Sequence, residues 1–194
     1  MGRLESVGVS GTELWPAIFE KAIVKRFTDP RRLYCDEAYA YARYKRRRAG
    51  LPLNGASFMD LHGGFPRWAI QIIFGLSDFP GLRLHTRALS LADVEYLFDP
   101  PGSRSVICLC SDTCHTDAVR EDGFVYGHAY GVLKTARRDG ELLIRVYNPW
   151  GVYEPLDVDE RIIDGASAND GAFYITYDTM LKRFPFLSVV FLAK

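Results

Sequence analysis

The sequence predicts an α+β fold in which N-terminal helices are followed by a mainly antiparallel β-sheet. Apolar side chains recur at three- and four-residue steps in the segments before residue 99, which is the spacing of amphipathic helices. Beyond that point apolar and polar side chains alternate in short runs, which is the spacing of strands. The tetrapeptide Arg-Arg-Asp-Gly at 137–140 is a strong hairpin signal between two of these runs.

The first half of the chain carries the helical patterns. Ser90 and Asp93 match the pattern of a capping box, which predicts the start of a helix, and Asp-Pro-Pro-Gly at 99–102 predicts its end. Earlier helices are predicted from periodicity and helix-end signals at 14–27, 36–48, about 58–61 and about 67–74.

The second half of the chain is predicted to form five strands and one short helix. The hairpin turn is centred on Arg138 and Asp139 and connects the second of these strands to the third. The strands are predicted at 105–111, 125–135, 141–148, 172–177 and 186–192, and the helix at about 178–184.

The composition limits the classes of function. The chain has 194 residues, 48% of them hydrophobic, and we expect an N-terminal segment at 1–12 and one domain at 13–194. Its 24 Lys and Arg balance its 24 Asp and Glu, so no nucleic-acid partner is expected. We find no apolar run of membrane-spanning length and no secretion signal, so we expect no transmembrane segment. Four clustered cysteines are typical of a cytoplasmic protein.

Two local signals have alternative interpretations. The basic run at 45–48 is typical of a helix C-terminus, where cations face the negative end of the helix dipole. Its alternative is a contact with nucleic acid or lipid. Met1, Gly2 and Ser6 match a loose N-myristoylation pattern, which would associate the chain with a membrane if it is used.

A histidine and an asparagine lie on the two strands of the predicted hairpin. A two-residue turn centred on Arg138 and Asp139 pairs His128 with position 149, and a three-residue turn pairs it with Asn148. An asparagine beside a histidine can accept the proton of one ring nitrogen, which fixes the tautomer and directs the other nitrogen at a nucleophile. The alternative is a structural histidine that is hydrogen-bonded at a sheet edge.

Five motifs follow one another along the chain. The two most specific are Gly-His-Ala-Tyr at 127–130 and Asn-Pro-Trp-Gly at 148–151. The others are Glu-Leu-Trp-Pro-Ala-Ile-Phe-Glu-Lys-Ala at 13–22, Phe-Met-Asp-Leu-His-Gly-Gly at 58–64 and Asn-Asp-Gly-Ala-Phe-Tyr-Ile at 169–175. In their order along the chain, the five motifs resemble those of the calpain family of papain-like cysteine proteases, and the resemblance covers roughly Glu13 to Leu192.

This resemblance implies the C-terminal lobe of a calpain-like protease core. It implies that His128 is the general base of a Cys/His/Asn triad, that Asn148 orients it and that Trp150 shields the pair. In the family an N-terminal lobe carries the cysteine, and this sequence begins where the C-terminal lobe begins. We therefore expect a Cys-bearing lobe as partner, in cis or in trans, protein substrates or partners, and no catalysis by this chain alone. The chain is then either a fragment of a larger protease or a degenerate binding or regulatory module.

The alternative function is a small intact cysteine hydrolase that uses one of its own cysteines. Cys35 is followed by two acidic residues, which would raise the pKa of its thiol and oppose thiolate formation. Cys108 and Cys110 alternate on a predicted core strand, so we interpret them as packing residues. With Cys114 and His115 they could also bind zinc, although structural zinc usually uses two separated ligand pairs.

The resemblance also implies a calcium site after the Asn-Pro-Trp motif, and here the sequence departs from the family. Asp170 is a weak residual candidate, whereas Ala172 stands where the family usually has a second carboxylate. The loop at 152–168 is also shorter than is typical. Since calcium needs about six to eight oxygen ligands, we expect weak or absent calcium binding and no other cofactor.

Overall fold

The computed structural model describes residues 15–27, 35–55, 57, 60, 65–75, 82–112, 122–151, 154 and 171–192. The chain divides into two compact units, Met1–Gly81 and Leu82–Lys194. Helices precede a six-stranded antiparallel sheet, so the predicted α+β class is confirmed.

The first unit contains the described helices α1 (Trp15–Arg26), α2 (Asp36–Arg48) and α3 (Pro66–Phe74). The bounds of α2 are those predicted, because acidic side chains occupy its first turn and basic ones its last. α3 begins at a proline and ends at Phe74, because Gly75 after it has a left-handed φ of 66°. The helix predicted at 58–61 lies mostly outside the described residues. Among the helices of the described part, none is long and apolar enough to cross a membrane.

The described interior of the first unit combines a five-residue apolar cluster with a buried ion pair. Arg46 of α2 is buried and donates to both carboxylate oxygens of Asp60, at 2.7 and 2.6 Å, and to the Pro52 carbonyl at 2.8 Å. This arginine therefore braces the turn after α2 and is not one of the solvent-facing cations of the basic run. The buried apolar cluster of the unit consists of Phe27, Cys35, Ala38, Ala42 and Ile72.

The described part of the second unit is a six-stranded sheet with two helices packed on one face. Its strands lie in the order β1-β6-β2-β3-β4-β5, and every neighbouring pair is antiparallel. The strands are β1 (Leu82–His85), β2 (Arg104–Cys110), β3 (Ala129–Arg138), β4 (Glu141–Tyr147), β5 (Ala172–Thr176) and β6 (Phe186–Leu192). The helices are α4 (Leu91–Phe98) and α5 (Tyr177–Arg183), and a single 3-10 turn covers Thr86–Ala88.

The core of the second unit lies between the sheet and these two helices. The buried core residues are Val94, Leu97, Ile107, Leu109, Phe124, Tyr130, Leu142, Ile144, Val146, Phe173, Ile175, Met180, Phe184, Leu187 and Val189.

α4 begins with the predicted capping box, which is confirmed. The Asp93 N–H donates to Ser90 Oγ at 3.2 Å, and the Ser90 N–H donates to the Asp93 carboxylate at 2.8 Å.

The edge strand β1 is absent from the prediction. Among the described strands it pairs only with β6, and its alternation of leucine with Arg83 and His85 lasts four residues, too few to be recognised as a strand. The Arg83 guanidinium lies over the Phe186 ring, 3.8 Å from its centroid, and this cation–π contact helps to fasten the edge.

The bounds of β3 also differ from the prediction of 125–135. The strand begins only at Ala129, because Gly127 has a left-handed φ of 61° and donates its N–H to Asp112, outside the ladder. It continues to Arg138, because the hairpin loop consists of Asp139 and Gly140, with φ of 50° and 86°. Two positive φ values are what a type I′ hairpin turn requires.

Candidate active site

Ser111, the residue directly after β2, is hydrogen-bonded to the backbone of His128, which directly precedes β3. The His128 N–H donates to Ser111 Oγ at 2.9 Å, and the Ser111 N–H donates to the His128 carbonyl at 2.9 Å. Ser111 is buried, and its hydroxyl donates to the Val125 carbonyl at 2.7 Å. Ser111 is a positioning residue that sequence reasoning missed, since it was predicted only as the last residue of a strand.

The observed register places His128 and Asn148 diagonally across the hairpin. Gly131 lies opposite Tyr147, and continuing that register puts Asn148 opposite Tyr130. The prediction that the pair lies within one residue of direct opposition is therefore wrong by one position. Diagonal neighbours on one face are still within reach of long side chains.

A β-bulge in β3 decides which face His128 occupies. The ladder shifts between Val132 and Lys134, so Leu133 is an extra residue on this strand. Without the shift, the tight turn after Arg138 would place Asn148 opposite position 131, on the other face from His128. The bulge therefore brings the two side chains to the same face, which is a common use of bulges near functional sites.

The two side chains meet at a single hydrogen-bond acceptor. His128 Nε2 lies 2.9 Å from Asn148 Oδ1, so the predicted contact is confirmed, and the Trp150 N–H donates to the same oxygen at 3.0 Å. A backbone N–H can only donate, so the Asn148 atom that faces it must be the amide oxygen. That oxygen can only accept, so His128 Nε2 must carry a proton. Asn148 thus selects the tautomer in which Nδ1 carries the lone pair.

Aromatic rings surround the histidine on two sides. The Trp150 ring lies 4.6 Å from the His128 ring, centroid to centroid, and the Tyr130 ring meets it edge-on at 5.2 Å. Asn148 is fully buried, His128 is partly buried and Trp150 is 43% exposed. Trp150 therefore lies beside the pair, as predicted, and limits access of water to the hydrogen bond between His128 and Asn148.

The backbone of Asn148 is tied to the residue that precedes β5. The Asn148 N–H donates to the Gly171 carbonyl at 2.7 Å, and the Gly151 N–H donates to the Asn148 carbonyl at 2.9 Å. The Gly171 N–H in turn donates to Glu154 Oε1 at 2.8 Å. Sequence reasoning missed Glu154 and Gly171; the signal that could have found them is a glycine directly after Asn169-Asp170 and a carboxylate six residues after Asn148.

The environments of the three described cysteines oppose thiolate formation. Burial raises the pKa of Cys35, and the nearby Glu37 charge raises it further. Burial raises the pKa of Cys108 to about 12, with a further contribution from Cys110. The pKa of Cys110 is also raised by burial, although the Arg83 charge and the Ser188 hydroxyl act in the other direction. Of the two acidic residues that follow Cys35, Glu37 thus has the predicted effect on this pKa, but burial is the larger cause.

The strand cysteines also face away from the histidine. Cys110 lies opposite Ala129 in the β2–β3 ladder, whereas Leu109 lies opposite Tyr130. Tyr130 belongs to the core face, and His128 contacts its ring on that face. Cys108 and Cys110 occupy the opposite face of β2, as expected of residues that alternate with Leu109.

Several predicted metal ligands lie outside the described residues. They are Cys114 and His115 of the zinc alternative and Asp170 of the calcium candidate, together with most of the loop at 152–168. Within the described ranges, no group of three or more His, Cys, Asp or Glu side chains is placed to hold a metal ion.

Comparison with known proteins gives no family for this chain. The sequence matches no protein-family model and no curated protein at a significant level. The chemistry of the site must therefore be inferred from its geometry: a histidine with a fixed tautomer, a buried asparagine that fixes it and a tryptophan that covers them.

Proposed function

We propose that this chain is a calpain-like C-terminal protease lobe, in which His128 is the general base and Asn148 orients it. The nucleophilic cysteine would come from a separate lobe, in cis or in trans, so this chain alone would not hydrolyse peptides. The observation that carries the proposal is the convergence of His128 Nε2 and the Trp150 N–H on Asn148 Oδ1, at 2.9 and 3.0 Å. A histidine held in this tautomer directs the lone pair of Nδ1 at an incoming thiol.

The proposed reaction follows from this tautomer. His128 Nδ1 takes the proton of the partner lobe's thiol, and the resulting thiolate attacks the carbonyl carbon of the scissile peptide bond. The imidazolium then gives that proton to the departing amine as the acyl-enzyme forms. In the second half, water gives a proton to Nδ1 and its oxygen to the acyl carbon, and the imidazolium returns the proton to the leaving sulfur. Asn148 Oδ1 accepts from Nε2–H throughout and stabilises the imidazolium.

The described cysteines support the assignment of the nucleophile to another lobe. Burial raises the pKa of all three, and in Cys108 to about 12, so thiolate would be scarce near neutral pH. Cys108 and Cys110 also lie on the sheet face opposite to His128. We further propose that the chain is cytoplasmic and that it needs no tightly bound calcium.

The test joins the Cys-bearing lobe of a calpain-type protease upstream of this chain and measures labelling of its cysteine by a peptidyl epoxide. We expect labelling and cleavage of an unfolded protein substrate by the fusion, and neither by this chain alone, with calcium or with a chelator. His128→Ala should lower the labelling rate by at least about a hundredfold, the usual contribution of a general base. Asn148→Ala should lower it by about tenfold or more. His85→Ala removes an imidazole from β1 and is the matched control, with no expected change.

Two results would contradict the proposal in different ways. If the fusion folds but gains no labelling that depends on His128, the histidine is structural. If the chain alone cleaves the substrate, and both His128→Ala and a cysteine-to-serine change abolish cleavage, the chain is instead an intact cysteine hydrolase.

A further inference from the structure

We propose that Glu154 and Gly171 are positioning residues for the His128–Asn148 pair. The Glu154 carboxylate accepts the Gly171 N–H and thereby ties the segment after β4 to the beginning of β5. Asn148 is held between these segments, so this connection fixes the point from which its amide reaches the imidazole. The catalytic consequence rests on the proposed function, whereas the positioning itself can be measured on this chain alone.

Three hydrogen bonds connect the carboxylate to the imidazole. Glu154 Oε1 accepts from the Gly171 N–H at 2.8 Å, and the Gly171 carbonyl accepts from the Asn148 N–H at 2.7 Å. Asn148 Oδ1 then lies 2.9 Å from His128 Nε2. Both the N–H and the carbonyl of Gly171 are thus hydrogen-bonded, in each case to the segment that carries Asn148.

Gly171 also packs directly against the backbone of this segment. A Cβ atom at position 171 would lie 2.8 Å from the Asn148 carbonyl oxygen and 2.9 Å from Gly151 Cα. Both neighbours are backbone atoms of the segment that carries Asn148, so a side chain at position 171 would force this segment to shift. The φ of Gly171 is +86°, a conformation that glycine adopts without strain. Close approach and conformation therefore both require glycine here.

The Glu154 carboxylate is well suited to hold this contact. A hydrogen bond from a backbone N–H to an ionised carboxylate is shorter and stronger than one to a neutral acceptor. Glu154 lies six residues beyond Asn148, so its carboxylate closes a loop that contains Asn148, Trp150 and Gly151. If this closure is lost, Asn148 Oδ1 can withdraw from His128, and the imidazole loses the acceptor that selects its tautomer.

The experiment reads the tautomer of His128 by long-range ¹H–¹⁵N NMR on the full chain labelled with ¹⁵N-histidine. The unchanged chain should show His128 as one neutral tautomer, protonated at Nε2. Glu154→Ala should convert this to a mixture of both tautomers and should speed exchange of the Gly171 N–H by about tenfold. Glu154→Gln keeps an oxygen acceptor of the same reach, so the His128 tautomer and the Gly171 N–H exchange should both be as in the unchanged chain. Glu141→Ala, at the exposed other end of β4, is the control and should change neither.

A further substitution separates reach from charge and does not depend on the folding of the alanine variant. Glu154→Asp keeps the charge but shortens the side chain, so it should resemble Glu154→Ala. An unchanged tautomer and unchanged Gly171 exchange in Glu154→Ala would overturn the proposal. A wild-type pattern in Glu154→Asp would contradict the reach that the proposal requires of this side chain. If Glu154→Ala shifts the tautomer but the fusion with the Cys-bearing lobe is inactive, only the proposed function is contradicted. If the fusion is active but Glu154→Ala leaves the tautomer unchanged, only this inference is contradicted.

Discussion

In the second unit the described core is built from large apolar side chains such as Phe173 and Ile144, which are fully or almost fully buried. In the first unit the corresponding cluster includes Cys35, Ala38 and Ala42, which bury much less apolar area each. Among the described residues, the buried charged groups, Arg46 and Asp60, lie in the first unit, whereas the buried polar side chains of the second unit are uncharged. We therefore expect the first unit to depend more strongly on the geometry of a few charged groups.

The buried pair of Arg46 and Asp60 is the clearest of these contacts. Ser57 also donates its N–H to the Asp60 carboxylate at 2.8 Å, so three donors surround one buried acid. Such a pair stabilises a fold only while every partner is present, since a lone buried charge is costly. The His128–Asn148 pair instead lies in the second unit, where the pairing of β3 with β4 sets the positions of both residues.

The largest effect is expected from truncating the core of the second unit. Phe173 is fully buried, and its ring lies 5.9 Å from Phe124 and 6.0 Å from Tyr130, between centroids. Phe173→Ala should lower the free energy of unfolding by about 3–5 kcal/mol, because it removes apolar burial and leaves a cavity. Urea denaturation followed by NMR signals of this unit measures the change.

The control for this prediction is Tyr96→Ala, which removes an aromatic ring that is 59% exposed on α4. It should change the free energy of unfolding by under about 0.5 kcal/mol. If the two substitutions cost the same, the large apolar core is not what stabilises the second unit, and the comparison fails.

An intermediate effect is expected from breaking the ion pair of the first unit. Asp60→Ala leaves Arg46 buried without its carboxylate and should cost about 3 kcal/mol in local unfolding free energy, read from amide exchange along α2. Replacing both residues together, as Arg46→Met with Asp60→Leu, should recover much of that loss. Arg48→Met changes an exposed cation of the same run and is the control, with little expected change. Equal losses from Arg46→Met and Arg48→Met would show that burial of Arg46 does not matter.

The elements with local signals were predictable from sequence. α2 has its predicted bounds, and the capping box at Ser90 is present, because both depend on residues within one or two turns. The contact between His128 and Asn148 was predictable because the hairpin turn lies between them and brings the strands together.

The details that depend on contacts between distant segments were not predictable. The predicted register was wrong because the turn lies at Asp139 and Gly140, one residue later than predicted. The bulge at Leu133, which has no sequence signal, offsets part of that shift and so preserves the predicted contact. Ser111 and Glu154 act on backbone groups 17 residues away, His128 and Gly171 respectively, and such contacts depend on tertiary structure and not on periodicity.

The smallest effect is expected at the surface cap of α4, where neither an apolar core nor a buried ion pair is involved. Hydrogen bonds from the Ser90 side chain, and then from its backbone, hold the pKa of the Asp93 carboxyl below its ordinary value. Because the pKa is lowered on folding, this contribution to stability is present above the ordinary pKa of aspartate and is lost as pH falls through the folded value. Ser90→Ala should raise the pKa of Asp93 toward its ordinary value, and NMR titration of the carboxyl carbon measures this.

The control for this prediction is Ser103→Ala, in the turn after α4, which should leave the Asp93 titration unchanged. If Ser90→Ala also leaves it unchanged, the capping box does not govern this carboxylate. If the substitution destabilises the second unit as much as Phe173→Ala, surface polar contacts matter there as much as apolar burial, and the contrast between the two units disappears.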